Sequence, residues 1–205
     1  MSPMKPRTLS TMDLRKAERH LTRSCKVMEK LVALHGECDM PDTTFRPFQT
    51  LVTSIISQQL STKAAETIKS RILEVVPTFT PQGFLSVSHQ VLREAGLSMA
   101  KAKYIIQLAT RVNEGRLDFN VLRRQSNAEV IAVLTDLPGI GRWTSEMFLM
   151  SALNRPDILA TGDAGLQRAA RLLYGDSVDL DSVGQRWKPY RSVASWYLWK
   201  HLDSN

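Results

Sequence analysis

The sequence predicts an all-α fold. Apolar residues recur at helical spacing along most of the chain, and no stretch shows the strict alternation that is typical of a half-buried strand. Ser61 and Ser98 each precede such a helical stripe and can cap its first turn, while Ser126 and Glu129 have the spacing of a capping box. Of the 205 residues, 43% are hydrophobic, which suffices for the core of one large domain or two small ones.

The residue pattern of the N-terminal part predicts a tail, a helix and a loop, in that order. Residues 1–11 contain two prolines and no apolar period, so we expect them to be loosely ordered. One apolar stripe then continues from Met12 to Val32 and predicts a single long helix, which a loop over residues 35–44 follows. Basic residues flank the stripe, and a solvated helix face accounts for them better than a surface that contacts DNA.

Further helices are predicted wherever an apolar stripe lies between Gly, Pro or Ser breaks. Their expected ranges are 47–57, 62–76, 81–94, 98–114, 126–135, a helix that begins at 142, 164–174 and a last helix from about 189. The histidines are scattered along the chain and are expected on its surface, at His20, His35, His89 and His201.

Charge and cysteine content restrict the partners and cofactors. Lys and Arg total 27 and Asp and Glu total 20, so the net charge of +7 favours a polyanionic partner without requiring one. The two cysteines, Cys25 and Cys38, cannot supply the four thiolates of an iron–sulfur cluster, and no CxxC pair indicates zinc. With no signal peptide and no apolar run of about 18 residues, we expect a soluble intracellular protein that does not enter a membrane.

The stretch from Leu137 to Arg168 carries the strongest functional signal. Its Leu-Pro-Gly-Ile-Gly turn at residues 137–141 runs directly into an amphipathic helix that begins at Arg142. Glycines in such a turn allow a close backbone approach, and the free N–H groups at the start of the helix form an anion site. On a basic chain this site favours a nucleic-acid phosphate. A second turn, Thr-Gly-Asp at residues 161–163, opens another helix.

These motifs resemble those of a known family. The segment LPGIGRWTSEM is similar to the helix-hairpin-helix of the DNA glycosylase superfamily, and Asp163 matches the essential aspartate of that family. Asp163 follows Trp143 by 20 residues, which is the spacing of the AlkA-like branch, 3-methyladenine DNA glycosylase II. The resemblance extends from about Phe45 to Trp199, and the combination is far more specific than the LPGIG turn alone.

The resemblance implies a two-lobed helical fold with a cleft between the lobes, in the compact form without the N-terminal β domain. One lobe would comprise residues 45–156 and end in the hairpin with its turn at 137–141. The other would join residues 1–44 to residues 157–205. The implied partner is double-stranded DNA that contains alkylated bases, bound by a monomer in the cytoplasm and nucleoid of a bacterium or in the nucleus of a eukaryote.

Asp163 is the catalytic residue that the resemblance implies. A carboxylate near C1′ of the deoxyribose can stabilise the oxocarbenium-like transition state, or orient and deprotonate a water molecule. One carboxylate suffices, because an N-alkylated base already carries positive charge as a leaving group. Asp163 is also well placed to be the N-cap of the next helix, and both roles can hold together.

The resemblance assigns Trp143, Met147 and Trp199 to the pocket for the extruded base. An indole face attracts a cationic base by about 0.5–2 kcal/mol, although core packing is the commoner role of a tryptophan. Met147 replaces a tyrosine of the family pattern, which implies a roomier and less strict pocket. Trp143 stands where bifunctional relatives have a lysine that forms a Schiff base, so we expect no lyase activity.

Two segments are expected to contact DNA. In the hairpin, the resemblance assigns contacts to Gly139, Gly141, Arg142, Trp143 and Thr144. In the junction of Gln58, Gln59 and Leu60, it implies a wedge that enters the gap left by the extruded nucleotide. Either Gln59 or Leu60 could be the inserted residue, and an ordinary polar loop is the alternative.

No cofactor is expected to be required. The family does imply a monovalent cation, Na⁺ or K⁺, at the hairpin, and the matching ligands here are the main-chain carbonyls of Thr135, Leu137 and Ile140.

The predicted function is a monofunctional glycosylase of base-excision repair that removes 3-methyladenine, 7-methylguanine and related bases from duplex DNA by base flipping. The alternatives are a non-catalytic homologue that binds abasic or distorted DNA, and an enzyme for another lesion such as a deaminated base.

Overall fold

The computed structural model describes residues 9–40 and 45–204, which form thirteen α-helices, one 3₁₀ turn and no strand, and so confirm the predicted all-α fold. The helices are α1 (Thr11–Ser24), α2 (Lys26–His35), α3 (Pro47–Ser57), α4 (Thr62–Val75), α5 (Pro81–Leu85), α6 (His89–Glu94), α7 (Met99–Asn113), α8 (Phe119–Leu122), α9 (Asn127–Thr135), α10 (Arg142–Ser151), α11 (Ala164–Tyr174), α12 (Leu180–Gly184) and α13 (Arg191–Asp203). The 3₁₀ turn is Gln185–Trp187. No helix in the described ranges has both the length and the apolar character that crossing a membrane requires.

The described chain divides into two compact units. The first is Phe45–Phe148, and the second combines residues 9–40 with residues 149–204. The division therefore falls between residues 148 and 149, inside α10, rather than at the predicted position between 156 and 157. The reason is that the segment after α10 is bonded within the second unit: Ser192 Oγ donates to the Arg155 carbonyl at 2.6 Å. Residues 1–8 of the predicted tail over 1–11, and residues 41–44 of the predicted loop, lie outside the described residues. The rest of the tail is ordered, contrary to the prediction: Leu9 is buried and its N–H donates to the Asn154 carbonyl at 2.8 Å, and Ser10 is the N-cap of α1.

The predicted helix starts are confirmed where they depend on local capping. Ser61 Oγ accepts the N–H of Ala64, and Ser98 Oγ accepts the N–H of Lys101. Ser126 and Glu129 form the complete capping box at the start of α9. These contacts satisfy N–H groups that have no partner inside the helix.

The prediction of a single N-terminal helix is wrong, because the helix is interrupted at Cys25. Cys25 is extended, with φ −164° and ψ 140°, and separates α1 from α2. The two helices pack against each other, so both contribute buried residues such as Leu21 and Met28 to one core. A one-residue break hardly disturbs the apolar pattern. The predicted helix over residues 81–94 is likewise two helices, α5 and α6, because Ser88 caps a new start.

α13 is the centre of the second unit and packs against α1, α2 and α11. A buried polar network holds the chain after α2: the Cys38 N–H donates to Glu18 Oε1 at 2.6 Å, and Tyr197 Oη donates to the Gly36 carbonyl at 2.8 Å. Burial raises the pKa of Cys38 to about 12 and that of Tyr197 well above its ordinary value. Cys38 is therefore a neutral, buried thiol at physiological pH.

Three of the four histidines are not the isolated surface residues that the sequence predicted: His20 is half-buried with its ring edge-on to Tyr190, and the other two form a pair. His35, at the end of α2, and His201, near the end of α13, place Nε2 and Nδ1 3.3 Å apart. Both side chains are half-buried, whereas His89 is exposed. Burial lowers the pKa of His35, and the neighbouring charges of His201 and Lys200 lower it further. A separation of 166 residues hides this pair from any analysis of local sequence pattern.

Candidate functional site

The hairpin turn joins α9 to α10 and depends on a glycine at position 139. Gly139 has φ +79°, a conformation that favours glycine, and a Cβ at this position would overlap the ring of Tyr104. The turn closes with a hydrogen bond from the Ile140 N–H to the Leu137 carbonyl at 3.1 Å. The Ser145 N–H then donates to the Gly141 carbonyl and begins α10.

The first turn of α10 separates exposed from buried side chains. Arg142 and Trp143 are exposed, with 37% of Trp143 accessible, whereas Thr144 is only 2% accessible. The hydroxyl of Thr144 accepts from Gln58 Nε2 at 3.2 Å. The Thr144 side chain is therefore shielded from solvent, while those of Arg142 and Trp143 are exposed; the predicted DNA contacts of all three stay predictions.

Arg142 is held by an acid that the sequence analysis missed. Its Nε donates to Glu146 Oε1 at 2.9 Å, one helical turn further along α10. Glu146 is buried, and this burial raises its pKa, although the bond to Arg142 acts in the opposite direction. The i,i+4 spacing of an arginine and a glutamate was the signal that could have revealed the pair. The ion pair restrains an otherwise mobile, exposed cation on the hairpin.

Gln58 makes structural contacts within the protein, and its predicted contact with DNA stays a prediction. Its Nε2 donates to the Gly139 carbonyl at 2.9 Å as well as to Thr144, so the side chain links the end of α3 to the hairpin. The side chain is half-buried. Of the predicted residues, the structure thus brings Gln58, Gly139 and Thr144 together.

Gln59 and Leu60, the two candidates for the wedge, are both exposed. Gln59 has φ +58°, which is uncommon for a residue with a side chain and costs on the order of 1–3 kcal/mol. The Leu60 N–H donates to the Ser57 carbonyl at 3.2 Å and closes the turn. Because the strained residue lies at the tip of an exposed turn between two helices, it is presented to solvent and does not fill the core.

The predicted cation ligands are carbonyls at and after the end of α9. Thr135 is the last residue of that helix, and Leu137 and Ile140 lie in the turn. Carbonyls at a helix C-terminus have partial negative charge, and Leu137 O has one of its two lone pairs engaged by the Ile140 N–H. Neutral oxygen donors of this type suit a hard cation of low charge, so these residues fit the ion that the resemblance implies.

Asp163 is the N-cap of α11. Its Oδ1 accepts the Leu166 N–H at 2.8 Å and the indole N–H of Trp199 at 3.0 Å. The residue is buried to 9% accessibility, while Thr161 and Gly162 immediately before it are exposed. The predicted capping role is thus confirmed, and the carboxylate is held from two sides near the protein surface.

Trp199 makes a contact that the sequence analysis did not predict, while its predicted place in the base pocket stays a prediction. Its indole N–H is directed at Asp163, and its Cδ1 would lie 3.3 Å from a Cβ on Gly165. A glycine at position 165 therefore leaves room for the indole beside the carboxylate. Trp143 and the half-buried Met147 belong to the Phe45–Phe148 unit, whereas Asp163 and Trp199 belong to the other unit.

The fold and the hairpin define a class: a helical protein that carries a helix-hairpin-helix motif followed by a capping aspartate. The family model described as HhH-GPD superfamily base excision DNA repair protein matches residues 52–183. The chain belongs to this superfamily, which confirms the resemblance that the motifs suggested.

Individual relatives are similar over most of their length. DNA-3-methyladenine glycosylase 1 of Schizosaccharomyces pombe is 31% identical over 91% of this chain and 87% of its own. The crystal structure of a DNA-3-methyladenine glycosidase from Bacillus halodurans shares 40% identity with a TM-score of 0.77, and covers 90% of this chain and 88% of its own. The Schizosaccharomyces pombe 3-methyladenine DNA glycosylase in complex with abasic DNA has 30% identity and a TM-score of 0.82, covering 92% of this chain and 97% of its own.

Proposed function

We propose that this protein is a monofunctional DNA glycosylase that hydrolyses the N-glycosidic bond of alkylated bases in duplex DNA. The expected substrates are 3-methyladenine first, then 7-methylguanine and related bases, and the product is an abasic site. The observation that carries the proposal is the Asp163 carboxylate, which two N–H donors hold at the start of α11. The similar proteins are described as DNA-3-methyladenine glycosylases, which supports alkylated bases as the substrate class.

Binding would begin at the phosphate backbone. The exposed Arg142 and the N–H groups around Gly139 and Gly141 supply positive potential, which sets register on the duplex without reading its sequence. A monovalent cation held by the carbonyls of Thr135, Leu137 and Ile140 would add one positive charge beside the same phosphate. Extrusion of the damaged nucleotide costs a few kcal/mol, and a wedge from Gln59 or Leu60 would fill the gap that it leaves.

Catalysis would depend on charge at the sugar. As the bond between C1′ and the base nitrogen lengthens, positive charge moves from the alkylated base to the deoxyribose, and the base leaves as a neutral molecule. The Asp163 carboxylate stabilises that developing charge, and water adds to C1′ while losing a proton to Asp163 or to solvent. Because the leaving base was already cationic, no general acid has to protonate it.

Trp143 would contribute to recognition of the base. Its exposed indole can attract a cationic purine by about 0.5–2 kcal/mol, which favours N-alkylated bases over neutral ones. The tryptophan also occupies the position at which a lysine would form a Schiff base in a bifunctional relative, so the proposal includes no strand-cleaving lyase step.

Base release by the wild-type protein tests the proposal. Duplexes that contain 3-methyladenine, 7-methylguanine, hypoxanthine or uracil are incubated with the protein, and the released base and the abasic strand are quantified separately. We expect release of the two methylated purines and intact abasic strands until alkali is added. Tight binding to abasic DNA with no release of any base would instead establish the non-catalytic alternative, and preferential release of hypoxanthine or uracil would move the enzyme to deaminated lesions.

A further inference from the structure

One helix supports both segments that are proposed to contact DNA. α7 lies in the Phe45–Phe148 unit and packs against α3, and its Lys101 Nζ donates to the carbonyls of Ile56 and Gln58 at 2.8 and 2.7 Å. One turn later, the ring of Tyr104 lies against Gly139 in the hairpin. Neither Lys101 nor Tyr104 carries a signal in the sequence, because their partners are distant along the chain.

The two carbonyls that Lys101 binds lie at the end of α3, where backbone oxygens have no partner inside the helix. An ammonium group is favoured here by the negative end of the helix dipole, and its hydrogen bonds are assisted by charge. Lys101 is half-buried, and burial lowers its pKa. Two close carbonyl partners offset the cost of removing this lysine from water, so the contact is a specific one, unlike that of a loosely placed surface lysine.

Gln58 is bonded both to Lys101 and to the hairpin. The carbonyl of Gln58 is bound by Lys101, while the side chain of Gln58 donates to the Gly139 carbonyl. The Gln58 carbonyl belongs to the peptide unit that leads into Gln59, the residue with φ +58°. Fixing this peptide plane sets the direction in which the chain leaves α3. The strained conformation of Gln59 is thus built into the protein without any contribution from DNA.

We propose that Lys101 is a positioning residue for the wedge turn, defined as residues 57–60: it holds Gln59 and Leu60 in the geometry that fills the gap beside an extruded nucleotide. This inference rests on the proposed function, because it requires that the wedge turn meets DNA. Lys101 itself touches neither the base nor the sugar in this role, and it acts through the backbone of Ile56 and Gln58.

The test compares two lysines of the same helix. Lys101→Met retains an unbranched side chain that is one atom shorter and removes the donor, and Lys103→Met changes an exposed lysine two residues away. Each variant is titrated with a duplex that contains a tetrahydrofuran abasic analogue and with the undamaged duplex. A 2-aminopurine beside the lesion reports unstacking, and circular dichroism reports folding.

For Lys101→Met we expect the Kd for the abasic duplex to rise about tenfold, because a charge-assisted bond to the turn is lost. The Kd for undamaged DNA should change less than about twofold, since phosphate contacts from the hairpin persist. The 2-aminopurine signal at saturation should fall, and Lys103→Met should retain it. Equal weakening on both duplexes, or an unchanged preference and unstacking signal, would overturn the inference.

Failure of the proposed function is distinguishable from failure of this inference. A wild-type protein that neither prefers the abasic duplex nor releases a methylated base contradicts the function itself. A wild-type protein that does both, together with a Lys101→Met variant that behaves in the same way, contradicts only the role of Lys101. If Lys101→Met does not fold, the comparison is decided with Lys101→Gln, which retains N–H donors, against Lys103→Gln. An intermediate loss of abasic preference supports the role, and no loss overturns it.

Discussion

The indole N–H of Trp199 lies 3.0 Å from Oδ1 of Asp163, the same oxygen that accepts the Leu166 N–H at the start of α11. One donor belongs to the backbone and the other to a side chain 36 residues away. A carboxylate that is bound by two N–H groups would keep one orientation during the proposed reaction, while the sugar changes charge. Preorganised polar groups of this kind act in the transition state without having to reorient.

Asp163→Asn should slow catalysis strongly and preserve the fold. The amide oxygen of asparagine can still accept the Leu166 N–H, so the cap remains, but the negative charge at the sugar is lost. We expect release of 3-methyladenine under single-turnover conditions to fall about 100-fold or more, with DNA affinity unchanged within about twofold. Asp176→Asn, an exposed acid beyond α11, is the control. Full excision by Asp163→Asn would show that the catalytic assignment is wrong.

Trp199→Phe should slow catalysis by removing one donor while keeping an aromatic ring. The loss of a hydrogen bond to a charged oxygen should reduce the single-turnover rate by about tenfold, with little change in the Kd for DNA. Trp196→Phe alters a half-buried tryptophan in the same helix and should retain the wild-type rate. A rate for Trp199→Phe equal to that of the control would show that the bond to Asp163 is catalytically silent.

Trp143→Ala should reduce the preference for cationic bases. Because Trp143 is 37% accessible, the substitution should change the melting temperature little. Release of 3-methyladenine should fall about 2- to 30-fold, the loss expected when a cation–π contact is removed, while release of any neutral base should change less. Leu172→Ala replaces an exposed apolar residue elsewhere and is the control. An equal loss for cationic and neutral bases would assign Trp143 to general packing and not to charge recognition.

The His35–His201 pair should make stability depend on pH. Burial and the neighbouring charges lower the pKa of His35 in the folded protein, so the unfolded chain binds a proton more readily. Stability therefore rises with pH through the interval below the ordinary histidine pKa of about 6.5, and acidification through that value favours unfolding. His35→Gln should show a smaller fall in melting temperature between pH 7 and pH 5 than the wild type does. His89→Gln, an exposed change, should match the wild type; identical pH profiles for all three proteins would refute the effect.

Local signals were sufficient for most helix starts. The serine caps at Ser61, Ser98 and Ser126 involve only a few consecutive residues, and so does the cap at Asp163. The break at Cys25 was missed, because a one-residue interruption keeps the apolar stripe in phase. Helix periodicity reports which residues are buried, but it does not report which helix they belong to.

The long-range contacts of the predicted site residues could not be predicted from the sequence. Gln58 looked like a polar loop residue that could reach DNA, but its partner is the Gly139 carbonyl, 81 residues later. Thr144 follows the exposed residues Arg142 and Trp143 on α10, yet it is buried and its hydroxyl accepts from Gln58, 86 residues earlier. Trp199 was assigned to the base pocket for its indole face, and its position along α13 does not indicate that its N–H donates to Asp163.

The positive φ of Gln59 has a consequence for the search along undamaged DNA. A turn that took its shape only on meeting a lesion would lose conformational entropy at each productive encounter, which weakens binding. Here that ordering takes place once, when the polypeptide folds. If the wedge turn meets DNA as proposed, each later encounter with a base pair would involve a turn that is already ordered, and discrimination would depend on how readily the base pair opens.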